Sequence, residues 1–252
     1  MSPSRPISIS FSGIDGAGKS TQIQALRDAL ESQGQSVRIV AFWDEIAALT
    51  RLREGAGHRI FKGEKGVGSP EKPVNRRDKN VQTWPMAMIR LGLYFLDAFS
   101  ARIRVRQALR SGSGVVIFDR YIYDQFANLN LRRPLLRAYV RTVMRLVPRL
   151  DVSFILDANP AQARARKPEY PLEFIALNRQ AYLDLGDFLG GLIIVPAGPA
   201  ADVHANILRR LPKEMWLAED QGPRGQDLSH GPEVSDLEAL ERDTRTVRTL
   251  RT

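Results

Sequence analysis

The sequence predicts an α/β protein whose five-stranded parallel sheet is covered by helices on both faces. Short apolar runs alternate along the chain with longer segments in which apolar residues recur every three or four positions. Such alternation is typical of parallel sheets, because helices carry the chain back between strands. The predicted strands are 7–11, 37–42, 115–118, 152–157 and 192–195, and the predicted helices are 20–33, 85–110, 134–147, 172–189 and 200–211.

Two segments depart from this alternation. Residues 54–83 are rich in glycine, proline and charge and are too long for an ordinary connection, which predicts a loop insertion. It is either a mobile loop beside the substrate or a disordered segment. Residues 214–252 hold nine acids and only five arginines and predict a flexible polar tail. We therefore expect one folded domain over 1–213.

Composition excludes several classes of protein. The chain has no cysteine, which excludes disulfides, catalytic thiolates and zinc–thiolate sites. No secretory signal and no apolar stretch long enough to cross a bilayer is apparent, so we expect a soluble, cytoplasmic protein without membrane contact.

The net charge of +9 raises the question of a nucleic-acid partner. Part of this charge forms a regular series on a predicted helix: Arg133, Arg137, Arg141, Arg145 and Arg149. The series favours a solvated helix face, with a surface for an acidic partner as the alternative. No aromatic residues are interleaved with it, which argues against single-strand binding.

A glycine-rich turn joins the first predicted strand to the first predicted helix. The pattern Gly13-x-x-x-x-Gly18-Lys19-Ser20 at such a junction is the phosphate-binding P-loop, and it predicts a P-loop NTPase fold. Backbone N–H groups and the helix N-terminus bind phosphates, Lys19 reaches the β- and γ-phosphates, and Ser20 holds Mg²⁺. We expect ATP and Mg²⁺ as the ligands. The predicted contacts are Gly13, Asp15, Gly16, Ala17, Gly18, Lys19, Ser20 and Thr21.

The third predicted strand ends at Asp119, which Arg120 and Tyr121 follow. An acid at the end of a strand beside the P-loop is suited to coordinate Mg²⁺, usually through water. Arg120 is suited to neutralise the charge of the transferring phosphoryl group. A structural ion pair is the alternative for the acid.

A lid is predicted over residues 162–173. Arg164, Arg166 and Lys167 crowd a short helix that Pro168 and Pro171 follow. Such a cationic segment is suited to close over phosphates and exclude water, although a solvated basic turn would show the same residues. The chain lacks both the Asn-Lys-x-Asp signal of GTPases and the separate acidic strand of ATPase motors.

The segments "GIDGAGKST", "DRYIYDQ" and "PRLDVSFILDANPAQARARK" fall in the order and at the spacing seen in the thymidylate kinase family, which this chain resembles over residues 6–212. The resemblance implies phosphoryl transfer from ATP to a nucleoside monophosphate, with dTMP to dTDP as the best guess. Small-molecule nucleotides would be its partners, and since the family is often dimeric, a homodimer is left open.

The resemblance also assigns roles to residues. Lys19, Ser20 and Asp119 would serve ATP–Mg²⁺, and Asp15 would bind the sugar hydroxyl of the acceptor. Arg120 would bind phosphates, with Tyr121 beside it at the substrate. Because Ala17 stands where some relatives carry arginine, the lid residues Arg164 and Arg166 would supply the transition-state charge. The thymine-reading helix matches with Phe95 and Phe99, and Arg102 would replace the family's base-reading arginine.

The acceptor side differs from the family pattern. Phe42, Trp43, Asp44 and Glu45 follow the second strand, where the family has Arg-Glu-Pro-Gly-Gly. Asp44 is nonetheless retained as a candidate substrate contact. An acid here suggests a second hypothesis, a P-loop kinase that phosphorylates a hydroxyl of a deoxynucleoside or sugar, with Asp44 or Glu45 as general base. A third is a nucleotide-dependent regulatory or binding protein that uses the basic helix as its contact surface.

Overall fold

The computed structural model describes residues 6–46, 84–110, 112, 114–212 and 215. The chain divides into two compact units, Met1–Pro212 and Lys213–Thr252. The predicted insertion at 54–83 lies outside the described residues, and so does the predicted tail apart from Met215.

Five parallel strands form the sheet, which confirms the predicted fold class. They are β1 (Ile7–Ser12), β2 (Val37–Ala41), β3 (Val115–Asp119), β4 (Val152–Leu156) and β5 (Ile193–Val195), in the spatial order β2-β3-β1-β4-β5. β1 pairs with β3 so that Phe11 lies opposite Asp119, and with β4 so that Phe11 lies opposite Phe154. The carboxyl ends of these three strands therefore meet at one edge, where ligands of open α/β sheets bind.

Helices join the strands. They are α1 (Lys19–Glu31), α2 (Trp84–Leu109), α3 (Tyr123–Phe126), α4 (Pro134–Met144), α5 (Pro160–Arg166), α6 (Leu172–Leu189) and α7 (Ala200–Leu208). Proline at the first position of α4 and of α5 starts each helix without the loss of a hydrogen bond. The Asn159 side chain caps α5 by accepting from the backbone N–H of Ala161 at 2.9 Å.

The second strand ends one residue earlier than the sequence predicts. Phe42–Ile46 forms a π-helical segment in which Phe42 and Ile46 are buried. The apolar side chain of Phe42 packs in the core from this segment rather than from the strand, and periodicity could not distinguish the two.

The centre of the sheet is fully buried. β1 places Ile9 and Phe11 in the interior, and the ring of Phe11 stacks on that of Phe154 with 5.3 Å between centroids. Within the described ranges, no helix has the length and apolar character needed to cross a bilayer. The core thus fixes the carboxyl edge of the sheet, and the loops at that edge carry the candidate site.

Candidate functional site

The glycines of the P-loop are required by close backbone approach. Gly13 has φ 138°, and a Cβ there would lie 2.5 Å from the carbonyl oxygen of Leu156 at the end of β4. Gly16 has φ 80°, and a Cβ there would collide with the carbonyl of Ala163 in α5. Larger residues at either position would push the loop away from β4 and α5.

The amino end of α1 opens toward the loop. Gly18 is the N-cap, in the left-handed conformation, and no side chain caps the first turn of α1. A Cβ built on Gly18 meets nothing within 4 Å, so there is open space at this position. Ser20 and Thr21 are exposed in the first turn. Free N–H groups beside open space suit an oligophosphate.

Lys19 is buried under the P-loop. Its Nζ donates to the carbonyl oxygens of Gly13 at 2.9 Å and Ile14 at 2.8 Å. Burial, and then the positive charge of Arg120, lower the pKa of Lys19 to about 8, and the carboxylates of Asp124, Asp15 and Asp119 limit the fall. A bound triphosphate would place negative charge beside this ammonium and would raise the pKa of Lys19 again.

Arg120 is held in a strained backbone conformation. Its φ is 69°, in the left-handed region that costs a non-glycine residue about 1–2 kcal/mol, and its N–H donates to Phe11 at 3.0 Å. Its guanidinium donates to Asp15 and, at 2.7 Å, to Asp124. Burial opposes its charge, but Asp124, Tyr182 and Asp15 outweigh burial and raise the pKa of Arg120.

Asp15 joins the P-loop to the turn after β3. Burial alone would raise its pKa, but the charges of Arg120, Lys19 and Lys167 outweigh that effect and hold the pKa below its ordinary value. The carboxylate is therefore ionised at neutral pH, and it pairs with Arg120 in this structure.

Asp124 is a site residue that the sequence did not single out, although it lies in the quoted segment "DRYIYDQ". It is 4% exposed and accepts from Ser12 Oγ at 2.6 Å and from Tyr182 OH at 2.7 Å. It also accepts from Arg120 and, at 3.3 Å, from the backbone N–H of Tyr121. Its spacing of four residues after Arg120, which suits an ion pair, was the available signal.

The residues predicted to hold Mg²⁺ flank the P-loop. Asp119 is half-buried at the end of β3, opposite Phe11, and its charge acts on Lys19. Ser20 is exposed in the first turn of α1. Mg²⁺ bound to nucleotides takes most ligands from phosphates and water and only one or two from protein oxygens, which fits this donor set. In the described ranges no three His, Cys, Asp or Glu side chains gather into a metal site.

The predicted lid begins with α5, which lies against the P-loop. Arg166 is exposed and its Nη1 donates to the Gly16 carbonyl at 3.1 Å, while Arg164 is half-buried. The sequence missed an ion pair behind the lid, in which Arg179 of α6 donates to both oxygens of Asp157 at 2.6 and 2.7 Å. An acid directly after a buried strand was the available signal.

Asp44 and Glu45 lie at the outer edge of the sheet. The Glu45 carboxylate accepts from the Ala41 N–H at 3.2 Å and lies 3.5 Å from Arg38, so it is tied to the edge strand β2. Asp44 lines a cleft of about 250 Å³ with Arg38, Val40, Glu45, Arg104, Gln107 and Ala108. These residues belong to β2, the π-helical segment and α2, and a substrate contact of Asp44 stays a prediction.

The predicted aromatic contacts lie on α2, and their role at the substrate stays a prediction. Phe95 and Phe99 are 46% and 55% exposed on α2, whereas Tyr94 and Asp97 lie on the face that packs inward. Arg102 donates to the Leu146 carbonyl at 3.3 Å.

Tyr121 is fully buried, and its hydroxyl donates to the Pro148 carbonyl at 2.8 Å. The structure thus gives Tyr121 a packing role, and its contact with the substrate stays a prediction.

Comparison with known proteins gives a consistent result. No family model matches the chain. The chain is 28% identical to a thymidylate kinase of Bifidobacterium longum (strain DJO10A) over 190 residues, which cover 70% of this chain and 82% of the relative. It is 25% identical to a probable thymidylate kinase of Methanosphaera stadtmanae over 207 residues, which cover 80% of this chain and 94% of the relative. It is 30% identical to a thymidylate kinase of Chlorobaculum tepidum over 167 residues, which cover 63% of this chain and 65% of the relative.

These relatives span bacteria and archaea, and their likeness covers 63–80% of this chain. Together with the parallel sheet and the P-loop at its carboxyl edge, they identify a phosphotransferase of the nucleotide kinase class. These similarities support the resemblance of the chain to the thymidylate kinase family.

Proposed function

We propose that this protein transfers the γ-phosphoryl group of ATP to a nucleoside monophosphate, with dTMP as the best candidate acceptor. The observation that carries the proposal is the convergence of Lys19, Arg120 and Arg166 with the P-loop at one edge of the sheet. Three cations around a phosphate-binding loop suit phosphoryl transfer, because catalysis of that reaction consists mainly of positioning the substrates and neutralising phosphate charge.

The donor side would be formed by the P-loop and α1. Backbone N–H groups of the loop and of the first turn would bind the β- and γ-phosphates, which the open space at Gly18 admits. Lys19 would place its ammonium against the same oxygens. Ser20 and Asp119 would hold Mg²⁺, which when bound neutralises charge on the β- and γ-phosphates.

The acceptor side would use Asp15 and Arg120. In this structure the two side chains pair with each other, so both are held at the mouth of the P-loop and are charged at neutral pH. Asp15 would accept a hydrogen bond from the sugar of the acceptor, and Arg120 would bind the phosphates. Arg164 and Arg166 would neutralise the transition state from the lid.

Neither alternative hypothesis gains support from the geometry. A hydroxyl-directed kinase needs a base near the phosphates, but Glu45 is bound to β2 and Asp44 lines the outer cleft. A regulatory protein would need the arginine series free for a partner. Two of its members, Arg137 and Arg141, lie over the Phe188 ring at 4.8 Å, so they already serve the packing of α4 on α6.

The test is ADP release from ATP–Mg²⁺ with a panel of acceptors: dTMP, dUMP, other nucleoside monophosphates, thymidine and sugars. We expect release with a monophosphate and none with thymidine or sugars, and we expect Lys19→Ala to remove the signal with every acceptor. Release with a nucleoside or sugar alone would replace this proposal by the hydroxyl-directed kinase. A homodimer and a cytoplasmic location stay predictions.

A further inference from the structure

We infer that Asp124, together with Tyr182, is a positioning residue that fixes the guanidinium of Arg120 for phosphoryl transfer. The inference rests on the proposed function, which assigns Arg120 to the phosphates. That function assigns no role to Asp124 or Tyr182.

Arg120 needs such support because its own backbone does not provide it. The residue is in the left-handed conformation at the exit of β3, and its side chain extends from a turn rather than from a regular element. Its Nη2 donates to Asp15, a half-exposed loop residue that the proposed function directs to the acceptor sugar. When Asp15 turns to the substrate, Asp124 remains as the fixed anchor of Arg120.

The carboxylate of Asp124 is held in place by four hydrogen-bond donors. Its Oδ1 accepts from Arg120 Nη1 and from Tyr182 OH, each at 2.7 Å, and its Oδ2 accepts from Ser12 and from the Tyr121 N–H. A carboxylate has about four lone-pair sites, so the group is saturated by donors from β1, from the turn after β3 and from α6. A buried carboxylate in this state neither moves freely nor serves as a base.

Tyr182 sets the direction of the shared oxygen. Its phenol is buried, and burial together with the nearby charge of Asp124 raises its pKa well above the ordinary value, so it remains a donor at working pH. It belongs to α6, which is separated by five residues from the end of the lid helix α5. The Tyr182 hydrogen bond therefore connects the helix behind the lid to the arginine at the phosphates.

A double-mutant cycle between Tyr182 and Arg120 tests the inference. Tyr182→Phe removes one hydroxyl and should lower kcat about tenfold, the worth of one hydrogen bond to a charged group, while the KM for ATP stays within about twofold. Tyr182→Phe should cost almost nothing further in an Arg120→Ala background, because the group that it positions is gone. Equal losses of kcat in both backgrounds would overturn the inference.

The matched control is Tyr123→Phe. Tyr123 is also a buried tyrosine, but its hydroxyl lies 3.4 Å from Ser153 Oγ and does not contact Arg120. We expect its kcat to be unchanged. If Tyr182→Phe does not fold, the isosteric Asp124→Asn takes its place in the cycle, with the same outcomes.

Failure of the proposed function gives a different result. If the wild type transfers phosphoryl to no acceptor, that function is refuted, and the same cycle is then measured as affinity for inorganic pyrophosphate by calorimetry. Tyr182→Phe should weaken pyrophosphate binding only when Arg120 is present. Independent effects, or a wild type that does not bind pyrophosphate, would overturn the inference.

Discussion

The backbone carbonyl of Ala163 occupies the place that a Cβ atom on Gly16 would need. Ala163 belongs to the lid helix and Gly16 to the P-loop, so the two segments are in direct contact. Arg166 strengthens the contact with its hydrogen bond to the Gly16 carbonyl at 3.1 Å. The contact between α5 and the P-loop thus depends on the absence of a side chain at Gly16.

Gly16→Ala should separate the lid from the P-loop and lower kcat by about tenfold or more, because the lid arginines lose their position. Gly34→Ala is the matched control: Gly34 has φ 74° against 80° for Gly16, and a Cβ there meets nothing within 4 Å. Backbone strain should therefore cost both variants about 1–2 kcal/mol of stability, measured by denaturation. Equal kcat values in the two variants would show that the contact is not needed.

Lys19→Met should abolish phosphoryl transfer, with a loss of at least about 10²-fold in kcat, since its charge is directed at the transferring group. The fold should persist, because the buried ammonium of Lys19 donates to two backbone carbonyls, those of Gly13 and Ile14, and methionine fills a similar volume. Steady-state kinetics and a melting curve check this. Full turnover in a folded variant would refute the role of Lys19.

The free energy of unfolding of the wild type should rise with pH between about 8 and 10. The pKa of Lys19 is about 8 in the folded protein and about 10.4 in an unfolded chain, so within this window the unfolded state binds more protons. Stability must then increase as pH rises. Denaturant titrations at pH 7, 8 and 9 should show this increment in the wild type and not in Lys19→Met. A constant difference between the two proteins would contradict it.

Arg164→Ala combined with Arg166→Ala should lower kcat about 10²-fold, the effect of a lost electrostatic stabiliser, while KM changes less. Arg27→Ala provides the control, since Arg27 is an exposed arginine on α1 that pairs with Glu31 at 3.0 Å. A change confined to KM would mean that the lid arginines bind only ground-state phosphates.

Asp44→Asn should be mild, within about threefold in kcat, because Asp44 lines a cleft with Arg38 and Arg104 and a monophosphate acceptor needs no base there. Glu45→Gln should cost some stability and little activity, because it weakens the contacts with Ala41 and Arg38. If Asp44 is instead a general base, the loss would be about 10²–10⁴-fold with a nucleoside or sugar acceptor. That outcome would overturn the monophosphate proposal.

The long helix α2 shows where sequence patterns stop being informative. Apolar residues lie all around it: Ala98, Ala101 and Val105 are buried, whereas Phe95 and Phe99 are exposed. A helix that is apolar on every side has no periodicity that identifies its inner face. The sequence therefore selected Phe95 and Phe99 by motif spacing, while the packing turns Tyr94 and Asp97 inward.

The sequence by itself determined the parallel sheet, the P-loop between β1 and α1, and the resemblance to thymidylate kinases. These features are local, since strand and helix periodicity and the Gly13–Ser20 spacing are written in consecutive residues. Only the tertiary structure decided which charged side chains meet. Tyr182 and Asp124 are 58 residues apart and share a hydrogen bond, while Asp44, within the π-helical segment, lines a cleft with Arg38 and Arg104. Such pairings depend on the packing of whole elements, which no short stretch of sequence encodes.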